Sequence, residues 1–197
     1  MKSGGRQYTM RARADAAAET QRRIIDAALE MFSARLYDQV ALADVAEAAG
    51  VSSQTVIRRF GSKEGLVAAV SAHAGTQVRA QRDEAPADDV DAAVANLVAH
   101  YEQEGDRVLH LLAQERRVPA FRAVTDAGRE LHYAWVDRVF ATHLAGLRGA
   151  ARRRRRGQLI AACDVYVWKV LRRDLGLGRR DVERALSGMI NGVLLGA

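Results

Sequence analysis

Leu42–Phe60 reads LADVAEAAGVSSQTVIRRF: a short apolar-periodic run, a glycine, a serine pair and a second short run. Val45 and Ala49 recur one turn apart and give the first run an inward face. Gly50 has no Cβ, takes positive φ cheaply and supplies a sharp turn. Ser52 can cap the second run by accepting a backbone N–H, and Val56 and Phe60 give that run its own inner side. Helix, glycine turn, helix is the layout of a helix-turn-helix. A helix has the width of the DNA major groove, and here the second helix offers its N-terminal residues to base edges.

Helical geometry then selects the candidate contacts. At ~100° per residue, Gln54 and Arg58 lie about 200° from Val56 and face outward. Gln can bond adenine through two hydrogen bonds, and Arg can do the same with guanine. Thr55 and Arg59 flank that face on one side, Ser53 and Ile57 on the other, with Ser52 at its start. Lys63, opening the next helix, is placed to meet a phosphate beside that helix's amide ends. The candidate DNA-contacting set is therefore Ser52, Ser53, Gln54, Thr55, Arg58, Arg59 and Lys63.

Working outward, Thr20 can cap a helix whose apolar face is Ile24, Ile25, Ala28, Leu29 and Phe32. Gly61 ends the reading helix, and Ser62 caps a fourth helix with Glu64 in its first turn, running to about Arg82. The polar stretch DEAPADD, 83–89, marks a boundary. Beyond it the pattern predicts helices over about 90–104, 106–116, Pro119 to about Ala145, 151–175 and 179–195. No segment alternates with a period of two for long enough to require a strand. The expectation is an all-α chain of about nine helices: a three-helix head and then a larger helical domain.

The stretch from Thr20 to Val70 resembles the DNA-binding head of the tetracycline-repressor (TetR) family of bacterial transcription regulators. The resemblance rests on Ala27-Ala28, Phe32, Tyr37, VAEAAGVS, Thr55, Phe60 and SKEGL. It implies an all-helical homodimer with a DNA head and a variable C-terminal ligand and dimer domain. Three positions depart from the family pattern. Leu36 stands where a glycine usually precedes the tyrosine, so that turn must be made differently. Val40 and Ala41 stand where Thr or Ser often caps the second helix, losing a cap typically worth ~1 kcal/mol. Ile57 replaces a phosphate-touching tyrosine, and Arg58-Arg59 can supply the missing attraction. The chain thus divides into a flexible basic arm, 1–19, with Lys2, Arg6, Arg11 and Arg13; a head, 20–70; and a ligand-binding and dimerisation domain, 71–197.

Composition agrees with such a chain. Of 197 residues 49% are hydrophobic and 6% aromatic, which suits a folded helical protein. The formal net charge of +6 favours an acidic partner such as nucleic acid. All but three of the 30 basic residues are arginine, so an arginine run carries less meaning here than elsewhere. Arg152–Arg156 is such a run. Five consecutive residues on a helix point in all directions, so they form no single stripe and are expected to be solvated or paired, for example with Asp106, Asp137 or Asp181. Cys163 is alone, which excludes an intramolecular disulfide and suits a reducing compartment. There is no long uncharged apolar span and no apolar core in the first twenty residues, so a cytoplasmic protein is expected.

In the C-terminal part, Leu159, Cys163, Tyr166 and Val170 share one stripe, with Ile160, Val167 and Leu171 beside it. Val182, Leu186, Met189 and Val193 form another, with Ala185 and Ile190 widening it. Helices apolar over so wide an arc need cover on two flanks, which a four-helix homodimer interface through 151–175 and 179–195 provides. Tyr101, Leu112, Phe121, His132, Trp135, Val139, Cys163 and Trp168 are candidates to line a pocket for an apolar or aromatic small molecule. No His, Cys or acid pair has metal-ligand spacing, and no nucleophile–base motif or phosphate loop is present, so no cofactor, metal or enzymatic activity is expected. The function expected is that of a ligand-responsive repressor binding a pseudo-palindromic operator. Two alternatives remain open at this point: a sequence-neutral basic DNA binder, and a small helical enzyme or carrier with an incidental helix-turn-helix.

Overall fold

A computed structural model of the chain describes residues 4–196, with side chains from Met10 onward. The described residues contain helices and turns and no strand. They divide into two compact units, Met1–Ala74 and Gly75–Ala197, so the division falls slightly beyond Val70.

The first unit holds α1 (Gly4–Ala34), α2 (Leu42–Ala48), α3 (Ser53–Phe60) and the opening of α4 (Lys63–Asp83). α1 begins well upstream of Thr20. That hydroxyl donates to the Ala16 carbonyl at 2.8 Å, the back-bond of a threonine inside a helix rather than a cap. The reason lies in Arg11–Glu19, whose alanines, arginines and glutamate are strong helix formers. Arg11 and Arg13 are exposed on this helix, while Lys2 and the side chain of Arg6 lie outside the described residues. Ile24, Ile25, Ala28 and Phe32 are buried along one face of α1, with Val40, Val45, Ala46, Ala49, Val56, Leu66 and Val67 completing the core of this unit.

The second unit contains α5 (Val90–Leu112), α6 (Pro119–Val139), α7 (Ala141–Ala145), α8 (Gly149–Ala162), α9 (Val165–Lys169), a π-helical turn (Val170–Asp174) and α10 (Arg179–Leu195). α5 is central and packs against α6, α9 and α10, and α8 packs against α6 and α10. Leu97, Leu159, Trp168, Leu186 and Ile190 are fully buried in its core.

Three boundaries differ from the sequence expectation, each for a local reason. α5 is one helix where two were expected, because Gly105 marks a close approach rather than a break: a Cβ there would lie 2.4 Å from a ring carbon of Trp168. The helix expected from Pro119 to Ala145 stops at Val139, whose carbonyl accepts from the Asp88 backbone N–H at 3.0 Å instead of continuing the helical ladder. The helix expected over 151–175 is interrupted at Cys163 and restarts when the Asp164 carboxylate accepts from Tyr166 N at 2.9 Å. That restart turns the apolar face. Val165 and Trp168 go inward, while Tyr166 and Val170, expected on the inner stripe, are exposed. Among the described residues no helix is long and apolar enough to cross a membrane.

Candidate functional site

The turn between α2 and α3 is built from backbone alone on its first side. Gly50 takes φ 65°, the left-handed region that glycine enters without penalty. Its N–H bonds Glu47 O at 3.0 Å and the next N–H, of Val51, bonds Ala46 O at 2.9 Å. These are the two bonds of a Schellman ending, which satisfies the carbonyls that α2 would leave open. α2 itself starts at Ala41 without a side-chain cap, in keeping with the missing Thr or Ser. α3 has one: Ser52 Oγ accepts from Thr55 N at 3.2 Å. Replacing the glycine before Tyr37 by Leu36 costs little, since Leu36 sits in extended backbone and Tyr37–Gln39 forms a single 3-10 turn.

α3 then presents its residues as its geometry requires. Val56 is fully buried, and Gln54, Ile57 and Arg58 are exposed. Ser52 is exposed, and Ser53, Thr55 and Arg59 are half-buried along the flanks. Phe60, expected as a second buried anchor, is only half-buried, so Val56 carries more of the seating. Arg59 lays its stem inward far enough that its Nε is buried without a hydrogen-bond partner.

Lys63 is engaged differently from the sequence expectation. Its ammonium donates to the Tyr37 carbonyl and sits 3.9 Å from the centre of that ring. Desolvation lowers its pKa from the ordinary lysine value. The Tyr37 hydroxyl donates to Glu64 Oε1 at 2.7 Å, a bond that holds the Glu64 carboxyl down near about 2. Tyr37 also stacks on Phe32, centroids 6.0 Å apart. Lys63, Tyr37 and Glu64 thus form a clasp between the 3-10 turn and the start of α4. A phosphate contact from Lys63 would have to use the protons that Tyr37 leaves over.

The five arginines scatter as their spacing demands. Arg152 donates to Leu144 O at 2.7 Å, and Arg155 donates to Leu194 O at 3.0 Å and to Gly196 O. Arg156 makes a two-pronged pair with Asp137 at 2.7 and 2.9 Å. Arg153 and Arg154 face solvent. Of the other acids expected as partners, Asp106 pairs with Arg173 and Asp181 with Arg184.

In the second unit the structure gathers five of the eight pocket candidates into one cluster. Tyr101 and Trp168 rings are 5.9 Å apart, the Tyr101 hydroxyl donates to Cys163 O at 2.9 Å, and His132 stacks on Trp135 at 6.4 Å. Val139 joins the same buried core, and Leu112 packs against it half-buried, whereas Phe121 is buried outside it. Two residues that sequence reasoning missed sit in this cluster. Arg82, from the end of α4, is 2% exposed and lies 4.2 Å over the Trp135 ring; His100 is 8% exposed beside Tyr101. One arginine among so many carries no signal in sequence, and His100 falls on an apolar helix face where core residues are expected.

Burial, reinforced by the Arg82 charge, pushes the His100 pKa down from 6.5 to about 3 and lowers that of His132 as well. Both imidazoles are thereby held neutral. The unfolded chain takes up protons below about pH 6.5 that the folded chain refuses, so stability falls as pH drops. For His100 the expected slope is up to ~1.4 kcal/mol per pH unit between pH 6.5 and about 5, above the carboxylate range, and His132 acts in the same direction. Urea unfolding across this window should show it, and His100→Gln should reduce it by the His100 share.

Comparison with known proteins agrees with the head described above. Residues 24–70 match the family model of bacterial regulatory proteins, tetR family. Curated proteins offer no match. Among solved structures, a transcriptional regulator from Rhodococcus sp. Rha1 superposes with a TM-score of 0.69 at 17% identity, covering 90% of this chain and 97% of that one. A tetR-family transcriptional regulator from Streptomyces coelicolor gives 0.64 at 19% identity, covering 89% and 80%. The superantigen PfiT gives 0.63 at 18% identity, covering 90% and 97%. Such likeness establishes a shared fold, and function must be argued from the site itself. The match to the tetR family of bacterial regulatory proteins over residues 24–70 thus lies on the same helices that expose Gln54 and Arg58.

Proposed function

We propose that this DNA-binding transcriptional regulator acts as a ligand-responsive repressor, a homodimer on a pseudo-palindromic operator. The observation that carries the reading is α3: a capped helix seated by Val56 that holds Gln54 and Arg58 out to solvent. Arg58 and Gln54 would read base edges in the major groove, with Ser52, Ser53, Thr55, Arg59 and the remaining protons of Lys63 on the flanking phosphates. Two such helices in a dimer meet half-sites ~34–36 Å apart.

The dimer face we assign to α8–α10. Tyr166, Val170 and Met189 are large apolar side chains that remain exposed there, and Met189 lines a shallow groove with Val167, Val193 and Gly192. A second copy covers such a face by packing two helices against two. The effector belongs in the second unit, at the cluster of Tyr101, His132, Trp135, Cys163 and Trp168. Only an effector that binds the operator-free conformation more tightly can release DNA.

The test is a titration of promoter DNA from beside the gene against scrambled DNA in raised salt, with the mass of the complex measured in parallel. Preference for the promoter fragment and two chains per site support the reading. Equal affinity for both would make the protein a sequence-neutral binder, and no binding would leave a helical enzyme or carrier. Replacing Arg152–Arg156 with glutamine should leave the promoter preference intact. The half-exposed Arg156–Asp137 pair contributes no more than about 1 kcal/mol to its stability cost, beside the lost bonds of Arg152 and Arg155 to backbone carbonyls. A shifted preference in that variant would move the DNA grip to α8.

A further inference from the structure

Arg82 is a buried cation without a counter-ion. Its side chain is 2% exposed. Among the described residues no carboxylate pairs with it: its terminal amino group meets His132 Nδ1 at 3.2 Å, its other hydrogen-bonding neighbour is the neutral Tyr101 hydroxyl, and its Nε is buried with no partner. The neighbouring groups that act on its charge are Tyr101, Cys163 and a second cation, Arg138, while burial itself lowers its pKa. Burial raises the Cys163 thiol to about 12 and raises the Tyr101 phenol as well, so both stay protonated, and both histidines stay neutral. The guanidinium is therefore the charged group inside this cluster. The half-buried Asp164 carboxylate acts on Tyr101, Cys163 and His132 from its margin, and accepts from Tyr166 N rather than pairing with Arg82. A fold gains nothing from an uncompensated interior cation, since a neutral side chain of the same volume is generally more stable there.

The surroundings of Arg82 are as specific as its missing partner. The guanidinium lies 4.2 Å over the Trp135 ring and 6.0 Å from the Tyr101 centroid. Trp135 Nε1 is itself buried with no hydrogen-bond partner. Buried N–H donors in native proteins are nearly always paired, so two orphans on residues in contact, one of them charged, point to an acceptor from outside the chain. A carboxylate matches that demand: it offers two oxygens, each able to accept more than one hydrogen bond, and one negative charge. The flat faces of Trp135 and Tyr101 favour an aromatic body on the same ligand. His132 is half-buried, bonded to Arg82 through Nδ1 and close to Ile160 O through Nε2 at 3.2 Å, so it is the part of this wall that reaches solvent.

We propose that Arg82 and Trp135 Nε1 form the anion-recognising end of the effector site, and that the effector is a small aromatic monocarboxylate. Its carboxylate takes Arg82 over from His132, whose ring turns outward, and its ring lies along Trp135 and Tyr101. The inference rests on reading the second unit as an effector domain, and its test is direct binding, which needs no DNA.

The full chain is titrated by calorimetry and by thermal melting with benzoate, cinnamate and 2-naphthoate, each beside its neutral amide. At least one acid should bind and raise the melting temperature, with its amide at least ten-fold weaker. Arg82→Met should melt no lower than the wild type when free, and should lose the acid by thirty-fold or more. Trp135→Phe keeps the ring, removes the donor and should weaken the acid several-fold. The proposal is overturned if all three acids fail, if acid and amide bind equally, or if Arg82→Met binds as the wild type does. Should Arg82→Met not fold, unchanged affinity in Trp135→Phe overturns it. Acid binding that leaves the promoter complex intact supports the site and counts against ligand-responsive repression. Promoter release by a neutral compound, with the acids inert, overturns the site and leaves the repressor reading standing.

Discussion

Trp168→Ala is expected to destabilise the protein by about 3–5 kcal/mol, the range for removing a large aromatic from a packed core. Trp168 is fully buried, its indole N–H donates to Glu102 at 3.1 Å, and Arg173 covers its face at 4.6 Å. The more informative partner is Gly105. In the wild type, Gly105→Ala forces a methyl to within 2.4 Å of the indole, and overpacking of that kind costs ~1–3 kcal/mol or more. In the Trp168→Ala background the same change meets no ring. It should then stabilise, since alanine is favoured over glycine inside a helix by about 1 kcal/mol. The sign of Gly105→Ala thus reverses between backgrounds. Urea denaturation of the four proteins checks it; the same sign in both would mean that Gly105 serves something other than the indole.

Gln54→Ala with Arg58→Ala should remove most of the preference for operator over scrambled DNA. Each two-bonded base contact is worth ~1–3 kcal/mol of discrimination, and contacts to separate base pairs add roughly. The pair therefore accounts for ~2–6 kcal/mol of discrimination, while non-specific affinity, carried by phosphate contacts, is largely kept. Both side chains are exposed, so the melting temperature should stay within the range of ordinary surface substitutions. Fluorescence anisotropy across a salt series separates the possibilities. If Arg58→Ala weakens every sequence alike and lowers the salt slope by about one, it is a phosphate contact and the reading of the helix face is wrong in that residue.

The head was legible because its logic is local. Gly50, Ser52, Gly61 and Ser62 each act within a few residues, and Val56 against Gln54 and Arg58 is settled by helical period alone. The features that stayed hidden depend on contacts distant in sequence. Lys63 looks like a phosphate ligand until the Tyr37 carbonyl, 26 residues earlier, is found against its ammonium. Gly105 reads as a break until Trp168 is seen above it. The interruption at Asp164 carried a local signal, an Asp two residues before Tyr166, but it lay inside an unbroken apolar periodicity that outweighed it. Arg82 was invisible for a compositional reason: in a chain whose basic residues are nearly all arginine, burial alone distinguishes it.

The π-helical turn at Val170–Asp174 makes this part of the chain intolerant of changes in length. It lets the adjacent Arg172 and Arg173 reach Glu102 and Asp106, two acids one turn apart on α5. Inserting or deleting a residue beside it, with the wide turn kept, would rotate the residues beyond by about 100°. Arg173 would then leave both Asp106 and the indole face it covers, so a change of one codon in length would unpair an acid and bare an aromatic together.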